Sequence, residues 1–360
     1  MPNRLSGRLP RRLIVVLALA AFAAFAGPAL FSSTRALTAA APQSGYHLLK
    51  KIEIGGEGGW DYLTFDSGAR RLYVSRQNRV IVIDTDAGKV VGEIPNTNGV
   101  HGIAIAADVG KGFTSNGRDN TATVFDLNTL KVLGEAKTGL NPDAIIYDPS
   151  SHRAFTFNGS GKSATAIDAK TGEVAGTVNL DGRPEFAAAD GKGMVYVNLE
   201  DKNAVLAFDA KSLAIKGTWP IAPGERPTGL SIDPKNMRLF IGCGNKKMVV
   251  MDAKSGKVVT DLPIGSGVDA TAFDPNAALA FSSNGEGTLT VVHEDSPDKF
   301  TVVENATTQR GARTMAVDPK THMVFLATAA FEPAPAPTTE NPRPRPKMIP
   351  NSFVILVFGN

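Results

Sequence analysis

The chain has 360 residues, of which 42% are hydrophobic and 20% charged, proportions typical of a folded globular protein rather than a disordered one. The formal net charge is +3, but residues 1–40 contain five arginines and no acid, which leaves −2 on the remainder. That balance argues against a nucleic-acid-binding protein. The single cysteine, Cys243, excludes an intramolecular disulfide.

The first predicted element is an export signal. Four arginines precede an apolar run at 13–26, and a stretch of mostly small residues follows at 36–41. This order of basic, apolar and small segments is typical of a secretory signal peptide. We therefore expect residues 1–41 to be removed, with cleavage near Ala40 or Ala41, and the protein to be periplasmic or secreted in a bacterium.

The export route stays open at this point. The pair Arg11–Arg12 directly precedes the apolar run, as in twin-arginine signals, but paired arginines also occur in ordinary secretory signals. An uncleaved membrane anchor is the alternative to cleavage. The apolar run is short for a membrane span, and Gly27–Pro28 interrupts its extension, so cleavage is favoured and no span is expected in the mature chain.

A repeat dominates the rest of the chain. A short apolar strand that ends in Asp or a turn residue recurs seven times at spacings of 40 to 44 residues, a period typical of propeller blades. The recurring positions are Asp66, Ala106, Asp148, Asp190, Asp233, Asp274 and Asp318. We therefore predict an all-β fold over residues 45–360: a seven-bladed β-propeller of four-stranded antiparallel blades.

The first repeat shows the plan of one blade. Its four segments are short, rich in β-branched residues and bounded by Gly, Asp, Asn and Pro, as strands are. The third segment ends at Asp84, with Gly88 four residues later, a pattern that predicts a tight turn rather than a calcium loop. The predicted strands are 61–65, 71–75, 80–84 and 89–94.

The last repeat explains how the ring closes. It supplies only three strands, at 313–317, 323–327 and 352–358, whereas the mature N-terminus contains a spare one at 48–54. We predict that this N-terminal strand completes the C-terminal blade and removes the exposed sheet edge.

Residues 331–350 are rich in proline and predict an extended insertion, which is either a lid or docking arm, or a tolerated disordered segment.

The predicted second strands carry a family motif. Their four-residue segments resemble those of the YVTN-repeat, YncE-like seven-bladed propellers, and the resemblance covers about residues 45–360. It implies an exported bacterial propeller, and it assigns no catalytic residue because the motif is structural. Trp60–Asp61 begins a first strand, so the WD40 pattern does not apply. The segments are Tyr73–Arg76, Phe113–Asn116, Val195–Asn198 and Phe281–Asn284.

Candidate functional residues gather at one mouth of the central channel. The first strand of each blade lines the channel, and the side chain five residues before each recurring position falls at the same mouth. Six of these seven side chains, all except that of Thr228, are ionisable. The seven positions are Asp61, His101, Asp143, Glu185, Thr228, Asp269 and Arg313. The loops on the same face add further candidate ligand-binding residues: Trp60, Arg183 and Arg226.

Three interpretations of this ring stay open. The polar side chains bond the amides of their own loops, with Arg313 paired to Asp61 or Asp269; or they bind an organic ligand; or Asp143, Glu185 and Asp269 bind a divalent metal ion. Carboxylates that cluster should have raised pKa values.

Two functional hypotheses follow. The first is a monomeric, non-enzymatic binding or scaffold propeller that binds a small molecule or a protein partner with its top face and channel mouth. The second is a metal-dependent hydrolase or lyase, lactonase-like, in which His101 is the general base. The sequence contains no catalytic family motif, so the binding hypothesis comes first.

Overall fold

Seven four-stranded antiparallel sheets form the protein in a computed structural model, which describes residues 45–336, 338, 339, 344 and 346–360. The predicted signal peptide, residues 1–41, lies outside the described residues. The strands of the first three blades, preceded by the N-terminal strand, are β1 (His47–Glu53); β2 (Leu63–Asp66), β3 (Arg71–Arg76), β4 (Arg79–Asp84) and β5 (Lys89–Ile94); β6 (Val100–Ala106), β7 (Lys111–Asn116), β8 (Thr121–Asp126) and β9 (Val132–Lys137); β10 (Pro142–Asp148), β11 (Arg153–Asn158), β12 (Ser163–Asp168) and β13 (Val174–Asn179).

The other four blades follow the same order. Their strands are β14 (Pro184–Ala189), β15 (Met194–Leu199), β16 (Ala204–Asp209) and β17 (Ile215–Pro220); β18 (Pro227–Asp233), β19 (Arg238–Cys243), β20 (Lys247–Asp252) and β21 (Val258–Pro263); β22 (Val268–Asp274), β23 (Leu279–Asn284), β24 (Thr288–Ser296) and β25 (Lys299–Thr307); β26 (Thr314–Asp318), β27 (Met323–Thr328) and β28 (Val354–Gly359). Ala107–Val109 and Glu200–Lys202 form single 3₁₀ turns. Among the described residues, no helix is long and apolar enough to cross a membrane.

The turns between third and fourth strands have the chemistry that the sequence predicts. In blade 2 the Asp126 carboxylate accepts hydrogen bonds from the amides of Asn128 at 3.1 Å and Thr129 at 2.7 Å. The aspartates that end β12, β16 and β20 do the same. The glycines that close three of these turns have positive φ: Gly88 at 65°, Gly172 at 82° and Gly256 at 71°.

A buried asparagine at the end of the second strand crosslinks two strands within each of several blades. In blade 2 the Asn116 amide nitrogen donates to the hydroxyls of Thr121 and Thr123, and its oxygen accepts from Thr114. Asn158 and Asn284 make the equivalent bonds in blades 3 and 6. The family-like motif therefore has a structural role in blades 2 and 6, where its asparagine crosslinks the second and third strands. In blade 4, Asn198 donates instead to the carbonyls of Thr228 and Gly229 in the next blade.

The ring closes as predicted. β1 pairs antiparallel with β28, so the last sheet has the order β1-β28-β27-β26, with Ile52 opposite Ile355. Ile52 and Tyr46 are both only 3% exposed. Each first strand contacts the first strand of the next blade, and β26 contacts β2. The N-terminal strand is thus the fourth strand of blade 7.

The base of the proline-rich insertion is fixed to the propeller. Between β27 and β28 the two arms of residues 331–350 meet in an isolated antiparallel bridge that joins Phe331 to Met348. Two backbone hydrogen bonds flank it: Glu332 N to Lys347 O at 2.8 Å, and Ile349 N to Ala330 O at 2.9 Å. Residues 337, 340–343 and 345 of the insertion lie outside the described residues.

Candidate functional site

The ring of candidate side chains coincides with a repeated irregularity in the first strands. In blade 2 the register between β6 and β7 shifts between Val100 and Ile103, so His101 lies inside a bulge. A bulge breaks the regular alternation of side chains and re-aims one of them. The same irregularity contains Asp143, Glu185, Thr228 and Asp269 in blades 3 to 6. Asp61 and Arg313 come just before β2 and β26.

Three neighbouring blades bring Asp61, His101 and Asp143 together. His101 Nδ1 lies 2.7 Å from Asp61 Oδ2 and 3.7 Å from Asp143 Oδ1. One potential ligand atom from each residue lies within 4.8 Å of the other two, and the described residues hold no other such group of His, Cys, Asp or Glu. All three side chains are partly buried, with exposed fractions of 25%, 31% and 20%. Glu185 and Asp269 lie outside this group.

The remaining ring residues have other partners. Arg313 Nη1 pairs with Asp269 Oδ2 at 2.8 Å, and Asp61 pairs with His101 instead. Arg183 contacts Glu200 at 3.0 Å and Glu185 at 4.0 Å. Arg226, with a side chain 75% exposed, reaches Glu200 at 3.6 Å. The Thr228 hydroxyl lies 3.3 Å from Gly242 O and 3.2 Å from Val268 O, so it is positioned by the backbone.

An aromatic pair, which the sequence analysis missed, crosses the channel next to the acids. Tyr62 and Phe186 each follow a ring position, in blades 1 and 4, and their rings stack with centroids 4.4 Å apart. Burial, reinforced by the charges of the surrounding acids Asp143, Glu185, Asp61 and Asp269, raises the pKa of Tyr62 well above its usual range. The stack therefore lies close to the acids of the ring.

Three acids of the ring, Asp143, Glu185 and Asp269, have raised pKa values. Burial raises the pKa of Asp143 and of Asp269 to about 6. Burial, and then the charges of Asp143 and Glu200, raise the pKa of Glu185 to about 8. Burial lowers the pKa of His101, but the hydrogen bond with Asp61 and the charge of Asp143 raise it more, so the net shift is upward. The raised pKa values mean that the ionised forms of these three carboxylates are destabilised at the channel mouth.

A cavity opens directly onto Asp61 and His101. Its volume is about 530 Å³, and its lining adds an aromatic ring, a guanidinium group and two amides: Trp60, Arg118, Gln77 and Asn141. Gly117 completes the wall next to the imidazole, because a Cβ there would lie 2.9 Å from His101 Nε2. A signal for Gln77, Gly117 and Arg118 was present in the sequence, since all three closely follow predicted second strands.

A second cavity shares Trp60 with the first. Its volume is about 460 Å³, and it is formed by the base of the insertion together with the mouth, through Phe331, Met348 and Arg313. The Trp60 ring lies 6.2 Å from that of Phe331 and 5.1 Å from that of Phe353. Trp60 therefore lines both cavities and links the insertion to the channel mouth.

Buried Arg76 holds the loop that carries Trp60. Its Nη2 donates to the Glu57 carbonyl at 2.8 Å, and its guanidinium lies 3.8 Å from the centroid of the Phe353 ring. The Asp61 amide donates to Ser75 Oγ at 3.0 Å. Since Arg76 is 1% exposed, the loop between blades 7 and 1 is anchored from inside, and it positions Trp60 and Asp61 at the mouth.

Comparison with known proteins adds no family. No protein-family model matches the chain, and no curated protein matches it by sequence. The seven-bladed fold is established by the structure, and membership of the YVTN-repeat family stays an inference from the second-strand segments.

Proposed function

We propose that this protein is an exported, YncE-like binding propeller that binds a small ligand at its channel mouth. The observation that carries the proposal is the cavity of about 530 Å³ beside Asp61 and His101. It combines an aromatic wall, charged groups of both signs and two amides, the mixture that orients small organic ligands. The cavity wall includes Asp61 and His101, and Asp143, whose pKa burial raises to about 6, lies 3.7 Å from the same imidazole; this arrangement favours a binding site over a structural network.

Tryptophan fluorescence tests the proposal, because the chain contains two tryptophans, Trp60 and Trp219. In Trp219→Phe, Trp60 is the only tryptophan and reports on the cavity. Trp219 lies on the outer strand β17 against Tyr196. We expect at least one member of a panel of organic acids, amines and sugars, tested at millimolar concentration with EDTA present, to shift the emission of Trp219→Phe.

The matched control is Trp60→Phe, which keeps Trp219 alone and should not respond to the same compound. Arg118→Ala in the Trp219→Phe background should weaken binding by about tenfold, the loss expected for one charged contact of 1–2 kcal/mol. A panel without a hit, or equal responses from Trp60→Phe and Trp219→Phe, would remove the cavity as the binding site.

Export is the second part of the proposal and rests on the N-terminal pattern of residues 1–41. We expect the protein recovered from the periplasm or the medium to begin near residue 41 or 42. Intact-protein mass measurement decides this, and a full-length mass for the protein in the membrane fraction would favour the uncleaved anchor instead.

A metal-dependent hydrolase or lyase is the second candidate function. One contact favours it: the Asp61 carboxylate, 2.7 Å from His101 Nδ1, orients the imidazole as a general base is oriented. Of the three acids predicted from the sequence as its metal ligands, Asp143, Glu185 and Asp269, only Asp143 belongs to the close group that contains His101. Turnover separates the two functions, because a compound that binds unchanged in the presence of Mn²⁺ or Zn²⁺ supports the binding protein, and one that is converted to product supports the enzyme.

A further inference from the structure

Two carboxylates face the same ring nitrogen of His101, which has only one proton to donate. A neutral imidazole has at most one proton on Nδ1, yet this atom lies 2.7 Å from Asp61 Oδ2 and 3.7 Å from Asp143 Oδ1. That proton serves Asp61. The Asp143 carboxylate accepts no hydrogen bond from any described residue, although its side chain is only 20% exposed. Among the described residues, His101 is therefore the only cation within ion-pair distance of the Asp143 carboxylate.

The nearby arginines are paired with other acids. The neighbouring cation Arg313 is bound to Asp269, and Arg183 lies between Glu185 and Glu200. Neither of them forms an ion pair with Asp61 or Asp143. A pair of carboxylates needs two positive charges for balance, which one imidazolium does not supply and one divalent cation does.

We infer that Asp61, His101 and Asp143 form a binding site for a divalent transition-metal ion, with open coordination positions toward the cavity beside Trp60. This inference rests on the proposed ligand-binding role of the channel mouth and names an ion for it. One imidazole nitrogen and two carboxylate oxygens are a donor set suited to ions such as Zn²⁺ and Mn²⁺.

The separations between donor atoms fit such an ion. Metal–ligand bonds of about 2.0–2.2 Å in tetrahedral geometry place donor atoms roughly 3.3–3.5 Å apart. The observed separations of His101 Nδ1 from the two carboxylate oxygens, 2.7 Å and 3.7 Å, bracket that value, and all three donor atoms lie within 4.8 Å of one another. Small side-chain shifts therefore assemble the site once the metal takes the place of the Nδ1 proton. The cavity of about 530 Å³, which Asp61 and His101 line, leaves room for water or a ligand at the remaining positions.

Calorimetric titration of the metal-stripped mature protein with Zn²⁺, and separately with Mn²⁺, tests the inference without any organic ligand. We expect one site per chain for at least one of the two ions. Asp61→Asn, His101→Gln and Asp143→Asn should each lower its affinity by about tenfold or more, because each removes a direct ligand. Thermal unfolding of each variant in EDTA confirms that the fold is retained.

Glu185→Gln and Asp269→Asn are the matched controls, because they neutralise acids of the same ring outside the group of three. Both should keep the affinity within about threefold, as expected for groups that act only through screened charge. If they abolish binding while His101→Gln retains it, the ligands are Asp143, Glu185 and Asp269, and the inference is wrong. No stoichiometric binding of either ion also overturns it.

A spectroscopic measurement identifies the nitrogen ligand directly. Co²⁺ should give visible absorption bands that are lost in His101→Gln and kept in Glu185→Gln. Failure of this inference is distinct from failure of the proposed function, because the fluorescence titration contains EDTA and the calorimetry contains no organic compound. A metal site without an organic ligand would leave the inference standing.

Discussion

Removal of residues 1–54, which include β1, should destabilise the whole propeller. β28 is buried along its entire length, and β1 covers its outer edge, with Ile52 and Tyr46 each 3% exposed. Loss of this strand exposes an apolar sheet edge and breaks the ladder that closes the ring. We expect a cost of about 5 kcal/mol or more from the lost burial and hydrogen bonds, and a melting temperature lower by roughly 10 °C.

The control for this truncation is a chain that starts at Ser44, which keeps β1 and should melt like the mature protein. If the truncated protein does not accumulate, Ile52→Ala replaces it, with an expected cost of about 2–4 kcal/mol. Leu49→Ala on the same strand is its control, because Leu49 is 44% exposed and should cost little. Equal melting temperatures for the mature and truncated proteins would show that blade 7 is stable with three strands.

The fold followed from the sequence because its signals are local and repeat. Asp126 and Gly88 define turns through bonds to their own neighbourhoods, and seven copies of the same pattern fix the number of blades. Closure by β1 followed from counting strands, since the last repeat had three and the N-terminus had one to spare. Such predictions need no knowledge of side-chain contacts between distant parts of the chain.

The candidate site was only partly predictable for the opposite reason. Spacing made the seven ring positions equivalent, but it did not decide whether Arg313 would pair with Asp61 or Asp269. The structure assigns Arg313 to Asp269 and leaves Asp61 to His101. Chain order makes blades 1, 2 and 3 neighbours, and that signal favours Asp61, His101 and Asp143 as a group.

The contact that spacing does not reveal is the stack of Tyr62 on Phe186. The two residues belong to blades 1 and 4, and their rings lie 4.4 Å apart. Their positions beside Asp61 and Glu185 are visible in the sequence, but contact across the channel depends on its width and on rotamers. The sequence therefore predicts raised pKa values for clustered carboxylates only in direction, because the burial that sets their size depends on such contacts.

Glu185→Gln should stabilise the protein at alkaline pH. Burial raises the pKa of Glu185 to about 8 from the ordinary value of 4.5, so the folded state retains a proton that the unfolded state has already released. A pKa raised on folding makes stability fall as pH rises, from about 4.5 up to about 8, with no further loss above that range. Glutamine cannot ionise, so Glu185→Gln does not lose this stability.

Thermal unfolding in EDTA at pH 5 and pH 9 measures the effect. We expect a gain of about 2 kcal/mol or more for Glu185→Gln at pH 9, or about 4 °C in melting temperature, and almost no difference at pH 5. Glu135→Gln, at an exposed position of β9, should change neither value. A Glu185→Gln protein that is less stable at pH 9 would mean that Arg183 needs the charged carboxylate more than burial opposes it. The ring would then be a structural ion-pair network.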